Sequence, residues 1–290
     1  MHNLLQELFQ KRVHAFIEDT RKQKDVYPKA KRKLESLAKR SAEIVKVKAV
    51  GNIVLESTKD QLQMITYQVH FQYLIKQNGI LYMEEEVEER IARFFNGMLV
   101  ADEEVDPPAL PKYHNDLSVP MTEDNQERLS YQYDRLKAVQ YAERWWNSYN
   151  PAYKKFEVDC TNFISQCLHV GGAPMRGYPN RGAGWWLQNS NWSYSWAVAN
   201  SLKLYLTNSK SGLRAKEVSS PDQLLLGDVI CYDFEGDGRF NHNTIVTGKD
   251  GYGMPLVNAH TYNSRMRYWA YEDSSAYTPR IKYKFYTIVE

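Results

Sequence analysis

Residues 65–75 constrain the fold most. Ile65, Tyr67, Val69, Phe71, Tyr73 and Ile75 alternate with Thr66, Gln68, His70 and Gln72. A period of two puts the apolar set on one face of a strand and the polar set on the other. Asn78-Gly79 follows at once. Both residues tolerate the positive φ that a tight two-residue hairpin requires. An antiparallel sheet with one buried face is therefore expected, with the partner strand starting at Ile80. That partner runs to about Met98, although Val87, Ile91 and Phe95 also fit a helical stripe. Upstream, Lys46 to Ser57 is rich in Val and Ile and reads as a further strand. Before it, Leu4, Leu5, Leu8, Phe9, Val13, Phe16 and Ile17 recur at helical spacing. Tyr27-Pro28 interrupts that stripe, and Leu34, Leu37, Ala38 and Ile44 resume it. Residues 1–101 thus read as an α+β domain, helices first and then a curved antiparallel sheet.

The texture changes at residues 102–128. Pro107, Pro108, Pro111 and Pro120 fall in a polar, acid-rich stretch, the composition of an extended linker. A second domain, 129–290, opens with a helix from Tyr133 to about Ser148, ended by Asn150-Pro151. A second helix starts near Cys160 and stops at Gly171-Gly172, a good C-cap. Strands are expected at 228–234, 244–248, 256–261 and 280–289. Helices preceding a sheet predict α+β architecture, with no βαβ alternation.

Composition narrows the function. The 290 residues carry a net charge of +2, with 25% charged and 43% hydrophobic residues. That charge gives no reason to invoke nucleic acid as a partner. No apolar run approaches the roughly 18–20 residues that span a bilayer. The N-terminus lacks a signal-peptide pattern, so the chain reads as cytoplasmic by default. A peptidoglycan substrate, lying outside the membrane, would leave extracytoplasmic action open. Three cysteines, Cys160, Cys167 and Cys231, are too few for a disulfide framework and lack zinc-ligand spacing. No metal or organic cofactor is expected.

Phe156-Glu-Val-Asp-Cys-Thr-Asn-Phe-Ile-Ser-Gln-Cys-Leu168 places Cys160 at the start of a short helix. The partial positive charge and free N–H groups there favour the thiolate, the reactive form. Asp159 reads mainly as the helix N-cap, worth about 1 kcal/mol, because its charge opposes thiolate formation. Cys167 lies one helical face along and reads as core. A thiol nucleophile needs a base and a group to orient it. His2, His14, His70 and His114 lie outside the second domain, and His169 sits roughly 13 Å along the helix from Cys160. His242 and His260 remain, each where a loop meets a strand. Asn258 and His260 are two apart and share a strand face.

Lys-Ala-Val-Gln-Tyr-Ala-Glu at 137–143, Asp159-Cys-Thr-Asn-Phe-Ile-Ser-Gln166 and Gly171-Gly172 resemble the putative amidase domain family. So do Asp233-Phe-Glu-Gly-Asp-Gly238, Asn241-His-Asn-Thr-Ile-Val-Thr247 and Asn258-Ala-His-Thr-Tyr-Asn263. That family is similar to the CHAP and NlpC-type branch of papain-like cysteine hydrolases. The likeness covers roughly residues 130–290. It implies a nucleophile helix packed on an antiparallel sheet, with Cys160 as nucleophile and His242 as base. The third position is His260 or Asn258. The implied reaction is cleavage of an amide in a peptide or peptidoglycan-like substrate through a thioester. The Cys160 backbone N–H, with Tyr149 or Tyr153, would hold the oxyanion. A thiol acyltransferase with the same residues is the first rival. A non-catalytic module that grips peptide or glycan in a Trp-rich cleft is the second.

Four of the seven tryptophans lie between Gly184 and Trp196. Trp185, Trp186 and Trp192 are the candidates for such a cleft wall, set against ordinary core. Asp233, Glu235 and Asp237 imitate the start of a calcium loop, but position 12 is Thr244 where a bidentate Glu is needed. A turn that delivers His242 is the expected role of that segment.

Overall fold

The computed structural model describes residues 2–17, 27–105 and 131–290. They form two compact units. The first holds the described residues up to Val105 with Tyr262–Met266 and Ala270–Ser275; the second holds those from Tyr131 to Thr261 with Arg267–Trp269 and Ala276–Glu290. Most of the proline-rich stretch expected as a linker, and His114 within it, lies outside the described residues. Among the described residues no helix is long and apolar enough to cross a membrane.

The first unit is built as its alternation predicts. Helices α1 (His2–Ala15) and α2 (Pro28–Lys39) precede strands β1 (Ala42–Lys59), β2 (Leu62–Gln77), β3 (Ile80–Phe95) and β4 (Met98–Glu104), which pair antiparallel in that order. Pro28 occupies the first turn of α2, where a missing N–H costs nothing. Ile44 belongs to β1, so the helical stripe ends before it. Ile65, Tyr67, Val69, Phe71, Tyr73 and Ile75 are all buried, and Phe16 packs edge-on against Phe71 and Tyr73. The ambiguous segment after Gly79 is strand throughout, with Gln77 opposite Ile80.

What the sequence did not announce is the buried face of β3. Glu84, Glu86, Glu88 and Arg90 point inward beside Tyr82, Ala92 and Phe94. Val87 and Ile91, the residues of the supposed helical stripe, are half-buried on the other side. Cations enter from the helices to meet the carboxylates. Lys29 Nζ lies 2.6 Å from Glu88, and Lys33 Nζ reaches both Glu84 and, at 2.8 Å, Asp273. Arg12 pairs with Asp102, and Arg90 bridges Glu88 and Asp102. Burial pushes the Glu84 carboxyl up, and the Lys33 charge opposes that rise.

In the second unit, helices α3 (Arg135–Trp145) and α4 (Cys160–Val170) come first. The ribbon β5 (Leu187–Gln188) and β6 (Asn191–Trp192), helices α5 (Tyr194–Ala197) and α6 (Ala199–Asn208), and strand β7 (Arg214–Val218) follow. Strands β8 (Val229–Asp233), β9 (His242–Lys249), β10 (Pro255–Ala259), β11 (Ser264–Tyr268) and β12 (Lys282–Val289) complete the chain. The sheet order is β10-β9-β8-β12-β7, all antiparallel. Ser264 and Arg265 of β11 belong to the first unit and pair with its β3. The Asp134 side chain caps α3 by accepting the Lys137 N–H. Helix α4 is buried at every residue from Cys160 to Leu168. Its Phe163, Ile164, Cys167 and Leu168 share a core with Ala138 and Ala142 of α3, Val229 and Cys231 of β8, and Ile245 of β9.

Removing one partner of a buried ion pair costs about 3–5 kcal/mol, because the other charge stays desolvated. Lys33→Met is therefore expected to lower unfolding stability by about that much at neutral pH. Without Lys33, Glu84 takes up a proton more readily in the folded state. The deficit relative to wild type should then shrink as pH falls through the carboxylate range. Urea unfolding at pH 7 and pH 5 measures both effects, and an equal deficit at the two values would contradict this account.

Candidate active site

Cys160 is the first residue of α4, and its position is fixed from two sides. Thr261 Oγ1 accepts the backbone N–H groups of both Asp159 and Cys160, each at 3.2 Å. The Cys160 N–H expected to hold an oxyanion is thus already engaged by the residue after His260. Asp159 occupies the N-cap position but its side chain bonds none of the α4 amides, so the expectation of a side-chain cap is corrected. Its carboxylate accepts instead from the Phe156 N–H at 2.9 Å, from Asn162 Nδ2 at 2.9 Å and from His260 Nδ1 at 2.8 Å. It ties together the incoming loop, the first turn of the helix and the end of β10.

Strand parity decides which groups reach the thiol. Tyr232 lies opposite His242 and Cys231 opposite Asn243. Cys231 belongs to the core around α4, and Asn243 Nδ2 donates to Thr161 Oγ1 at 3.1 Å. Asn243 and Ile245 therefore face the nucleophile helix. His242 projects from the opposite face with Thr244, its ring 5.6 Å from Tyr232 and 6.0 Å from Phe234. Burial, with the Arg267 charge adding to it, drives the His242 imidazole down to about 3. The His242 ring stands on the face of the sheet opposite to that of Asn243 and Ile245.

His260 and Asn258 lie on the helix side. The His260 ring stacks on Phe163 with centroids 4.0 Å apart. Its Nδ1 faces Asp159, and its Nε2 lies 2.7 Å from the Trp145 carbonyl. Asn258 is bound elsewhere, accepting from Thr247 Oγ1 and donating to Glu143, both at 2.8 Å.

Around the sulfur, Thr161 Oγ1 lies 3.7 Å from Sγ. Burial pushes the thiol up, hydrogen bonding from Thr161 and from the Asn243 backbone pulls it down, and the Asp159 charge adds to the rise. Cys167 and Cys231 are buried free thiols held up by burial, in line with the core role expected of them. A cavity of roughly 200 Å³ opens at Cys160, lined also by Phe156, Glu157, Val158, Asn200, Arg239 and Phe240.

Trp185 and Trp186 sit in the core. Trp185 Nε1 donates to Ser165, and Trp186 Nε1 to the Asn180 and Ala183 carbonyls. Trp192 is half-buried beside Phe156, 4.9 Å away, with Lys154 and Arg181 about its ring at 4.4 and 4.5 Å. Of the three, it alone packs against a residue of the cavity wall. Tyr149 stands edge-on to His260 at 5.1 Å, and Tyr153 stacks on Trp196. Asp233 accepts the N–H groups of Gly236, Asp237 and Gly238, so its carboxylate organises the turn before β9. Asn243 and Thr161 were missed from sequence. Asn243 stood beside a histidine that drew the attention, and Thr161 sat unremarked inside the cysteine motif.

The depressed His242 sets a pH dependence. Its folded value of about 3 lies below the ordinary value of roughly 6.5, so the unfolded chain binds the proton first. The stability that His242 contributes is complete above about pH 6.5 and falls by about 1.4 kcal/mol per pH unit between there and about 3. His242→Gln should flatten that acid limb in denaturation curves recorded from pH 7 to 4. An unchanged slope would mean that the ring protonates in the folded state.

The family model described as "Putative amidase domain" matches residues 132–286. The chain is 54% identical over 267 residues to "Uncharacterized protein YhbB" of Bacillus subtilis (strain 168), spanning 89% of this chain and 85% of that protein. It is 29% identical over 126 residues to "Uncharacterized protein YjcM" of the same organism, spanning 40% of this chain and 28% of that protein. No solved structure matches. The match spans the helix that carries Cys160 and the strands that face it, and the chain belongs to the putative amidase domain family.

Proposed function

We propose that this protein hydrolyses an amide bond with Cys160 as nucleophile. The observation that carries the proposal is the placing of Cys160 at the start of a buried helix, in the wall of a cavity, with the Thr161 hydroxyl 3.7 Å from its sulfur. Family membership supplies the reaction class, and the residues supply the thiol chemistry. In this reading the second unit is a papain-like hydrolase of the CHAP and NlpC type. Its substrate is an amide in a peptide or peptidoglycan-like fragment. Sγ attacks the carbonyl carbon, the thiol proton passes to an imidazole and on to the leaving amine, and water then cleaves the thioester.

Two imidazoles compete for that proton. The motif order favours His242, and its neutral ring is the basic form. Placement favours His260, which shares the nucleophile's side of the sheet and has its Nδ1 on a carboxylate, as an oriented catalytic imidazole does. We assign the role to His260, whose Nε2 must leave the Trp145 carbonyl to act.

Amine release from a panel of peptides and peptidoglycan fragments tests the proposal, with mass spectrometry of the trapped thioester. Cys160→Ser is expected to abolish turnover and the adduct. His260→Ala should lower kcat by about 10²–10⁴. His242→Ala should shift the melting temperature more than kcat, and the reverse pattern would transfer the base to His242. Turnover that survives in Cys160→Ser would sink the nucleophile assignment. Faster consumption of the adduct by amines than by water would make the protein an acyltransferase.

A further inference from the structure

The side chain that reaches the nucleophile's first turn from the sheet is that of Asn243. It is fully buried, its Nδ2 donates to Thr161 Oγ1 at 3.1 Å, and its Oδ1 has no hydrogen-bond partner among the described residues. An amide kept in the core with an unsatisfied oxygen is placed there for its donor. The consequence falls on Thr161. A hydroxyl that accepts from Nδ2 turns its own proton elsewhere, and its other contact is Cys160 Sγ at 3.7 Å.

We infer that Asn243 is a positioning residue for the Cys160 thiolate, acting through the Thr161 hydroxyl. The chain of donors runs from Asn243 Nδ2–H to Thr161 Oγ1–H to Sγ. The bond to sulfur strengthens when the thiol loses its proton, because a charged acceptor makes the stronger bond. The relay works against the opposition of burial and of the neighbouring Asp159 charge. This inference rests on Cys160 being the nucleophile, but it concerns the acidity of the thiol and is measured without substrate.

The experiment is the pH profile of Cys160 alkylation by iodoacetamide, followed on the Cys160 peptide by mass spectrometry in the folded protein. Thr161→Val keeps the shape and deletes the hydroxyl. Its profile should move to higher pH, with alkylation about tenfold slower at neutral pH for each unit of displacement and an unchanged high-pH plateau. Asn243→Ala should move it the same way, and Thr161→Ser should restore the wild-type curve. Should either of the first two variants fail to fold, as judged by thermal unfolding, Thr161→Ala and Asn243→Ser give the same readout. Profiles that overlay wild type, or a Thr161→Ser displacement equal to that of Thr161→Val, would overturn the inference. A displaced profile in a protein whose turnover survives Cys160→Ser would sink the nucleophile reading alone. An undisplaced profile with Cys160-dependent turnover would sink the relay alone.

Discussion

The Asp159 carboxylate is the interaction on which the second unit depends. One side chain takes a backbone N–H from the loop before α4, a side-chain amide from within α4 and the imidazole that ends β10. A buried polar group that loses its partner costs about 1–3 kcal/mol, so removing this one acceptor weakens three elements at once. A negative charge beside a thiol works against the thiolate, so the position is a compromise between architecture and acidity. The structure answers with hydrogen bonding from Thr161 and from the Asn243 backbone.

The two units use buried charge differently. In the first, a row of glutamates on β3 meets lysines and arginines, several of them from the helices, and the pairs fix where those helices sit. Buried ion pairs add little net stability over apolar packing, but each lost partner is expensive. In the second, polar groups concentrate at one end of α4, and the rest of the helix is packed in apolar core. The first arrangement positions elements, and the second positions a reactive atom.

Much of this was legible in the sequence. The alternation from Ile65 to Ile75 and the Asn78-Gly79 turn predict β2, its hairpin and its buried face. Tyr133, Asn150-Pro151 and Gly171-Gly172 bracket the two helices of the second unit. Parity was not legible. His242 and Asn243 are neighbours in sequence, and a strand sends neighbours to opposite faces, so a one-residue difference in register decides which side chain faces α4. Nothing local to Asn-His-Asn-Thr sets that register. It follows from Ile245 and Cys231, which must face the apolar side of α4. The inward glutamates of β3 were hidden for a similar reason, since their partners lie some 50–60 residues upstream on α2. The fate of Trp185 and Trp186 turned on indole acceptors contributed by other segments.

Helix α4 has no solvent face from Cys160 to Leu168. A helix with one wet side can fray, and its ends open many times for each global unfolding event. This one is enclosed, and the opening of its first turn is tied to the cooperative unit around it. Its amide protons should rank among the slowest in the chain to exchange with solvent. Cys160 is therefore held at a fixed depth, and access to it is set by the walls around Phe156 and Phe240.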